Sequence, residues 1–454
     1  MVWLQGLSVA LLGAGTVMAI SLNVNDLDSL KNAAATSAFN MMSNYTGNQT
    51  GQIPGKLPGT WWEGGAMFMT LIQYWYLTGD DSYNDAVTQG MYFQRGNDDY
   101  FPSNYSQYLG NDDQVFWGLA AMTAAELNYP EQSGMPSWLS LAQGVFNTQA
   151  ARWDTTTCNG GLRWQIWPYQ DGYSTKNAIS NGGFFQLAAR LARYTNNETY
   201  TQWAEKVWDW SGTTPLLKES EWTIADTTNV NAQCQDHGDI QWTYNYGTYL
   251  SGAAYMYNLT DGAEKWKEGI DGLMNTTLRE FFPSEYGGMV MSETACEGLM
   301  NCDRNQDCFK GFLSSWFAFM TTIVPYTYSE IIPRLQGSAV AAAKQCTGGA
   351  NQTLCGRRWY QDTWDGTTSL EEAMSATSVF TSNLIIHQKN AAPFTHSTGG
   401  TSQSNPSAGT SDPKSSSSIA TRPITAGDRA GASILTISFI GAWIGFVGWA
   451  IAGG

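Results

Sequence analysis

The sequence predicts an all-α fold, an (α/α)6 barrel of about six helical hairpins spanning residues 20–390. Three observations predict it. Between residues 27 and 389 apolar positions recur at helical spacing in about twelve segments, and strand-like alternation is scarce. Neighbouring segments meet at one recurring kind of joint, in which Thr with Gly, Asn or Asp turns the chain and an aromatic packs back. Long loops rich in Trp and Gly separate alternate segments, which favours a closed ring with loops gathered over one end, rather than an open solenoid.

The segments follow in order. Helices are expected near 27–43, 64–78 and 82–95, the last two joined by Tyr76-Leu77-Thr78-Gly79-Asp80-Asp81-Ser82-Tyr83, where Gly ends one helix and Asp or Ser caps the next. Helices near 114–127 and 137–151 come after Gly110-Asn111-Asp112-Asp113. Those near 177–194 and 198–210 meet at Tyr194-Thr195-Asn196-Asn197-Glu198-Thr199-Tyr200, and those near 247–258 and 261–278 at Tyr257-Asn258-Leu259-Thr260-Asp261-Gly262. Segments near 309–325, 328–345 and 368–388 complete the set.

Both ends of the 454-residue chain read as targeting segments. Residues 1–19 are apolar and close on Val17-Met18-Ala19, the small-residue pattern of a cleaved secretory signal. Residues 391–428 are Ser, Thr, Gly and Pro with little to bury, so an extended, O-glycosylated stalk is expected. Residues 429–454 end in an apolar run behind small residues Ala426-Gly427-Asp428, and no Lys or Arg follows to hold a cytoplasmic end. A GPI-attachment signal removed from the mature protein fits better than a transmembrane anchor. Sequons at Asn44, Asn48, Asn104, Asn197, Asn258, Asn275 and Asn351 agree with passage through a secretory pathway. Seven cysteines in that oxidising compartment should pair. Cys296–Cys302 and Cys346–Cys355 close the shortest loops, Cys158–Cys234 is a longer staple, and Cys308 is left free.

Composition narrows the partners. With 39 Asp+Glu against 23 Lys+Arg the net charge is −16, which excludes a nucleic-acid footprint. Charged residues are only 14% of the chain, against roughly 25% in ordinary soluble domains, while aromatics reach 13% with 20 Trp, as in proteins that stack on apolar faces. His237, His387 and His396 are scattered and Cys-x-x-Cys pairs are absent, so neither a metal nor another cofactor is expected. Neither a Gly-x-Ser-x-Gly elbow nor a phosphate-binding Gly-rich motif occurs.

What remains is carboxylates among aromatics, the equipment of glycoside cleavage. Gly96-Asn97-Asp98-Asp99 reads as a solvated turn whose acids can be replaced nearly silently. Gly110-Asn111-Asp112-Asp113 opens directly into an apolar helix. Simple capping needs only one acid there. Two adjacent carboxyls on a first turn diverge by about 100°, which would set them about 5–6 Å apart, a spacing suited to a retaining pair, with like charge raising one pKa. Capping and catalysis both satisfy the residues alone.

Asn111-Asp112-Asp113-Gln114-x-x-Trp117, with Thr60-Trp61-Trp62-Glu63-Gly64-Gly65 before it and Cys158-Asn159-Gly160-Gly161-Leu162-Arg163-Trp164, Lys176-Asn177-Ala178-Ile179-Ser180-Asn181-Gly182 and Thr243-Tyr244-Asn245-Tyr246-Gly247 after it, resembles glycoside hydrolase family 76 over residues 22–390. Its fungal members are GPI-anchored mannan endo-1,6-α-mannosidases. The resemblance implies an (α/α)6 barrel and retaining chemistry on α-1,6-mannosidic bonds, with Asp112 as nucleophile and Asp113 as general acid/base. It further implies a mannan or GPI-core glycan as donor and a β-glucan as a candidate acceptor, acted on by a monomer. Around the pair, Trp61, Trp62, Trp117 and Trp164 are candidate stacking platforms, and Asn181, Asp239, Tyr244 and Asn245 candidate partners for sugar hydroxyls. Cys308 departs from the family pattern, which has a small hydroxyl residue there. A wall-binding lectin or scaffold without turnover is the competing function, and a different (α/α)6 glycosidase such as a glucanase a third.

Overall fold

The computed structural model describes residues 20–388, 391–410 and 436. Twelve α-helices lie among them: α1 Leu27–Met42, α2 Trp62–Thr78, α3 Asn84–Phe93, α4 Asn111–Glu126, α5 Trp138–Ala151, α6 Ala178–Thr195, α7 Glu198–Ser211, α8 Thr243–Leu259, α9 Glu264–Phe281, α10 Phe309–Ile323, α11 Tyr328–Gln345 and α12 Leu370–Asn383. Each falls on a predicted segment. The even-numbered helices pack each on the next, α2 on α4 on α6 on α8 on α10 on α12, and α12 returns to α2, closing the ring. The odd-numbered helices form an outer layer, with α3, α5, α7 and α9 against the preceding inner helix and α1 and α11 both against α12. The architecture is an (α/α)6 barrel.

Burial explains which helices are inside. Inner helices are covered all round, so α6 and α12 bury nearly every side chain. Outer helices bury a stripe: α9 turns Trp266, Ile270, Leu273, Met274 and Phe281 inward at helical spacing. Gly79 ends α2 in a left-handed conformation and Asn197 caps α7 by accepting from the Thr199 N–H as the sequence predicts, but the expected caps are absent at the other two joints, where α3 and α9 open on Tyr83 and Ala263 without a side-chain cap. A two-stranded antiparallel sheet, β1 Thr175–Asn177 with β2 Thr227–Asn229, pairs Asn177 with Thr227 on one rim. The disulfides Cys158–Cys234, Cys296–Cys302 and Cys346–Cys355 form as expected.

One expectation is corrected. Residues 391–410 are not an extended stalk but a strap along α5. Phe394 N–H donates to the Glu126 carbonyl (2.8 Å), and the Ser402 hydroxyl donates to Glu131 (2.6 Å) while accepting from Leu139 N–H (2.9 Å). Asn405 N–H donates to Gln143 (2.6 Å) and the Asn147 amide donates to the carbonyls of Pro406 and Ala408. Little apolar surface is needed because polar side chains of α5 take up the strap's backbone groups. The expected signal at 1–19, the rest of the stalk and the tail at 429–454 lie outside the described residues, Thr436 apart. Among the described residues no helix is long and apolar enough to cross a membrane.

Candidate active site

Five inner helices present their N-terminal ends to a cleft of about 360 Å³. Trp62 comes from α2, Asp112, Asp113 and Phe116 from α4, Asn177 and Ile179 from the start of α6, Trp242 and Tyr244 from that of α8, and Phe309 from that of α10. Helix N-termini favour negative charge, so carboxylates placed here gain part of what burial costs them.

Of the sixteen residues of α4, only Asp112 and Asp113 are not fully buried. Together with Phe116 they are the positions at which this core helix reaches the cleft. Asp113 Oδ2 accepts from Gly110 N–H (2.6 Å), which closes the helix end, so capping is one of its tasks. Asp112 Oδ1 accepts from Asp113 N–H (3.1 Å) and Oδ2 from the Asn177 amide (3.2 Å). Surrounding protein raises both pKa values, that of Asp113 to about 6, and the Asp113 charge pushes Asp112 up further. Two such groups hold one proton between them.

Gly110 is required by close approach. A Cβ there would stand 2.3 Å from Asp112 Oδ1 and 3.0 Å from the Trp164 carbonyl. Gly110→Ala is therefore expected to displace the Asp112 carboxyl and lower kcat by roughly 10²-fold, as a misplacement of about 1 Å does, with little change in melting temperature. Unchanged kcat in that variant would show that Asp112 does not need its present position.

The remaining candidates divide. Trp62 and Trp164 line the cleft, the Trp62 indole donating to Asn305 Oδ1 (3.2 Å). Tyr244 also lines it, stacked on Phe309 with centroids 3.7 Å apart. Trp61 and Trp117 are corrected to core: Trp117 is wholly buried, stacks on Trp61 and Tyr100, and donates to the Trp61 carbonyl. Its ring lies on α2 because Gly64 and Gly65 leave room; a Cβ on either would come within 2.9 Å. Asn181 is also corrected, its buried amide being spent on the backbone of Leu162 and Asn177. Asp239 is exposed and lines a separate surface hollow with His237. Asn245 is buried and acts through another residue, donating to Asp226 Oδ1 (2.9 Å). Asp98 is a half-buried turn acid paired with Arg95. Asp99, expected to be silent, is buried, accepts from Phe101 N–H, and its carbonyl holds Gln114 of α4.

Sequence reasoning missed Asp226, Asn177, Trp242 and Phe309 as cleft residues. Asp226 is a third carboxyl at the site, held above the usual carboxylate range by burial, and its carbonyl accepts from Ala178 N–H beside Asn177. Asn177 had a signal, an Asn directly before an inner helix, the position that Gly110 and the Asp pair mark on α4. Asp226 lies in a loop without periodicity and had none. Opposite, Arg304 holds the loop carrying Asp303, Asn305 and Gln306 by bridging the buried acids Glu63 (3.1 Å) and Glu371. Cys308 is free and buried, and its thiol donates to the Asn305 carbonyl, a bond that a hydroxyl would also make.

A model of glycosyl hydrolase family 76 matches residues 29–397. Mannan endo-1,6-alpha-mannosidase DCW1 of Saccharomyces cerevisiae is 41% identical over 425 residues, covering 92% of each chain. That of Candida albicans is 43% identical over 396 residues, 86% of each. The crystal structure of Dfg5 from Chaetomium thermophilum in complex with glucosamine matches with a TM-score of 0.82 at 43% identity, over 86% of this chain and 97% of that one. An inactive variant of the α-1,6-mannanase GH76A of Salegentibacter sp. HEL1_6, in complex with α-1,6-mannotriose, shares the fold with a TM-score of 0.62 at 17% identity, over 79% and 99% of the two chains. The chain belongs to glycosyl hydrolase family 76.

Proposed function

We propose that this chain is a retaining endo-1,6-α-mannosidase or transglycosidase, acting on α-1,6-mannan or GPI-linked mannosides in cell-wall biogenesis. The observation that carries it is the pair Asp112 and Asp113, the two carboxyls that α4 presents to the cleft, in a chain whose relatives are named mannan endo-1,6-alpha-mannosidases.

In this reading the Asp112 carboxylate attacks the anomeric carbon while Asp113 gives its proton to the departing 6-oxygen, leaving a mannosyl ester on Asp112. Asp113, now ionised, takes a proton from water or from a sugar hydroxyl, and that oxygen displaces Asp112. Asn177 and the Asp113 N–H favour the ionised Asp112. Whether water or sugar completes the cycle depends on how well the loaded cleft excludes water. The same proposal has the enzyme act as a monomer at the cell surface and wall, held by a GPI anchor that replaces the 429–454 tail, with mannan or a GPI-core glycan as donor and β-glucan as acceptor.

The test is incubation of residues 20–425 with α-1,6-mannooligosaccharides, with and without a glucan acceptor, and mass spectrometry of the products against an Asp112→Asn control. Shortened or transferred mannosides that vanish in the control are the expected result. Binding without turnover in the wild type would favour a wall-binding protein instead.

A further inference from the structure

The cleft mouth continues into a surface that the chemistry above does not use. Beyond Trp164, which lines the cleft and is itself 36% exposed, the chain presents Trp167 (37% exposed) and Tyr169 (69% exposed) with parallel rings, centroids 6.4 Å apart and planes within 4°. Both rings reach solvent side by side in the same orientation. Exposed aromatic faces of this size are costly in water unless something covers them.

These rings are held in place. The Trp167 indole donates to the Ser106 carbonyl (2.7 Å) and the Tyr169 hydroxyl to the Gln107 carbonyl (3.1 Å), so the polar edge of each is tied down while part of its ring stays exposed. The loop is joined to the catalytic end by an amide relay: Gln165, a cleft residue bridged to Gly110, accepts from the Gln170 amide (2.9 Å), and Gln170 accepts from Trp167 N–H (3.0 Å). Gly172 completes the turn at φ +90°, where a Cβ would stand 2.4 Å from the Trp164 ring. Rings fixed before binding lose little entropy on binding, which is what a recognition surface needs.

We propose that Trp167 and Tyr169 are a stacking platform for neutral pyranose rings of the bound glycan, beyond the linkage cleaved at Asp112 and Asp113. The C–H face of a pyranose is weakly positive and complements the negative face of an aromatic ring. Neither residues 164–174 nor residues 103–108 contain Lys or Arg, so the surface suits an uncharged stretch of glycan, not a phosphorylated one. The assignment rests on the carbohydrate reading of the cleft and adds to it a site for chain length. α-1,6-Mannan on the donor side and β-glucan on the acceptor side offer the same ring chemistry, and the experiment separates them.

Residues 20–425 carrying Asp112→Asn are titrated calorimetrically with α-1,6-linked mannose oligomers and with β-1,3-linked glucose oligomers, each as disaccharide and hexasaccharide, before and after adding Trp167→Ala, Tyr169→Ala or Trp167→Phe. The expected result is a hexasaccharide Kd raised roughly three- to tenfold by each Ala variant, the value of one aromatic contact, retained in Trp167→Phe, with the disaccharide Kd unchanged. The hexasaccharide that responds identifies the source. Equal Kd values across all variants would overturn the platform, as would equal losses for disaccharide and hexasaccharide, which mark a collapsed loop, or no hexasaccharide binding by the parent. Wild-type protein that binds hexasaccharide through Trp167 but turns over no mannoside would instead sink the enzymatic reading and leave the platform standing.

Discussion

Asp112→Asn is expected to abolish turnover, and Asp113→Asn to lower kcat by about 10²–10⁴-fold, the usual worth of a positioned acid/base, in both cases without loss of fold. The pH profile should follow from the shared proton. One carboxyl must be ionised to attack and the other protonated to release the leaving oxygen, so kcat/KM is bell-shaped with macroscopic values that belong to the pair. Burial raises both groups and the Asp113 charge raises Asp112 further, so the limbs of the bell are shifted above the usual carboxylate range. Stability carries the opposite mark of the same shift. A carboxyl whose folded pKa is raised binds its proton more tightly in the native state, so its contribution is present at low pH and is lost as pH rises through about 6. Either Asn variant should therefore melt no lower than wild type at pH 7, and the difference should shrink toward pH 4. Full activity in either variant, or a wild-type profile flat from pH 4 to 8, would remove the mechanism.

The fold was legible because helix period and joint chemistry repeat along the chain, and each inner helix is apolar for most of its length. The starts of those helices were less legible, for a physical reason. Periodicity marks the first apolar residue, whereas α2, α4 and α8 begin earlier, at Trp62, Asn111 and Thr243 in place of 64, 114 and 247. The added turns carry Trp62, Asp112, Asp113 and Tyr244, so the residues that break the apolar pattern are those the cleft uses. Trp61 and Trp117 failed as platforms because a Trp beside a Gly pair in a helical core packs against the bare backbone, and sequence alone does not separate that from a sugar-binding Trp. The strap at 391–410 was missed because a stretch poor in apolar residues was judged on apolar burial alone, when its partners are the polar side chains of α5.

Arg190→Met is expected to destabilise the protein by about 3–5 kcal/mol, the cost of stripping one partner from a buried pair. The Arg190 guanidinium, on α6, donates to Glu126 (2.6 Å) and Thr123 (2.8 Å) on α4, and the Tyr255 hydroxyl of α8 donates to the same Glu126 oxygen (3.0 Å). All of this is buried, so the variant leaves a carboxylate among apolar walls with only a phenol to answer it. Glu126 closes α4 at the end opposite Asp112 and Asp113, about 20 Å away at the rise of an α-helix. The three helices joined there are those that bring the Asp pair, Asn177 and Tyr244 to the cleft. The lock and the site therefore occupy opposite ends of the same three rods. Arg190→Met should lower the midpoint of denaturant unfolding while kcat, measured well below the melting temperature, stays within a few-fold of wild type. Adding Glu126→Gln should recover part of the loss, because the orphaned charge is gone, and the cycle of single and double variants reads the coupling directly. A midpoint that does not move in the single variant would show that packing alone aligns the inner ring and that the ion pair is dispensable.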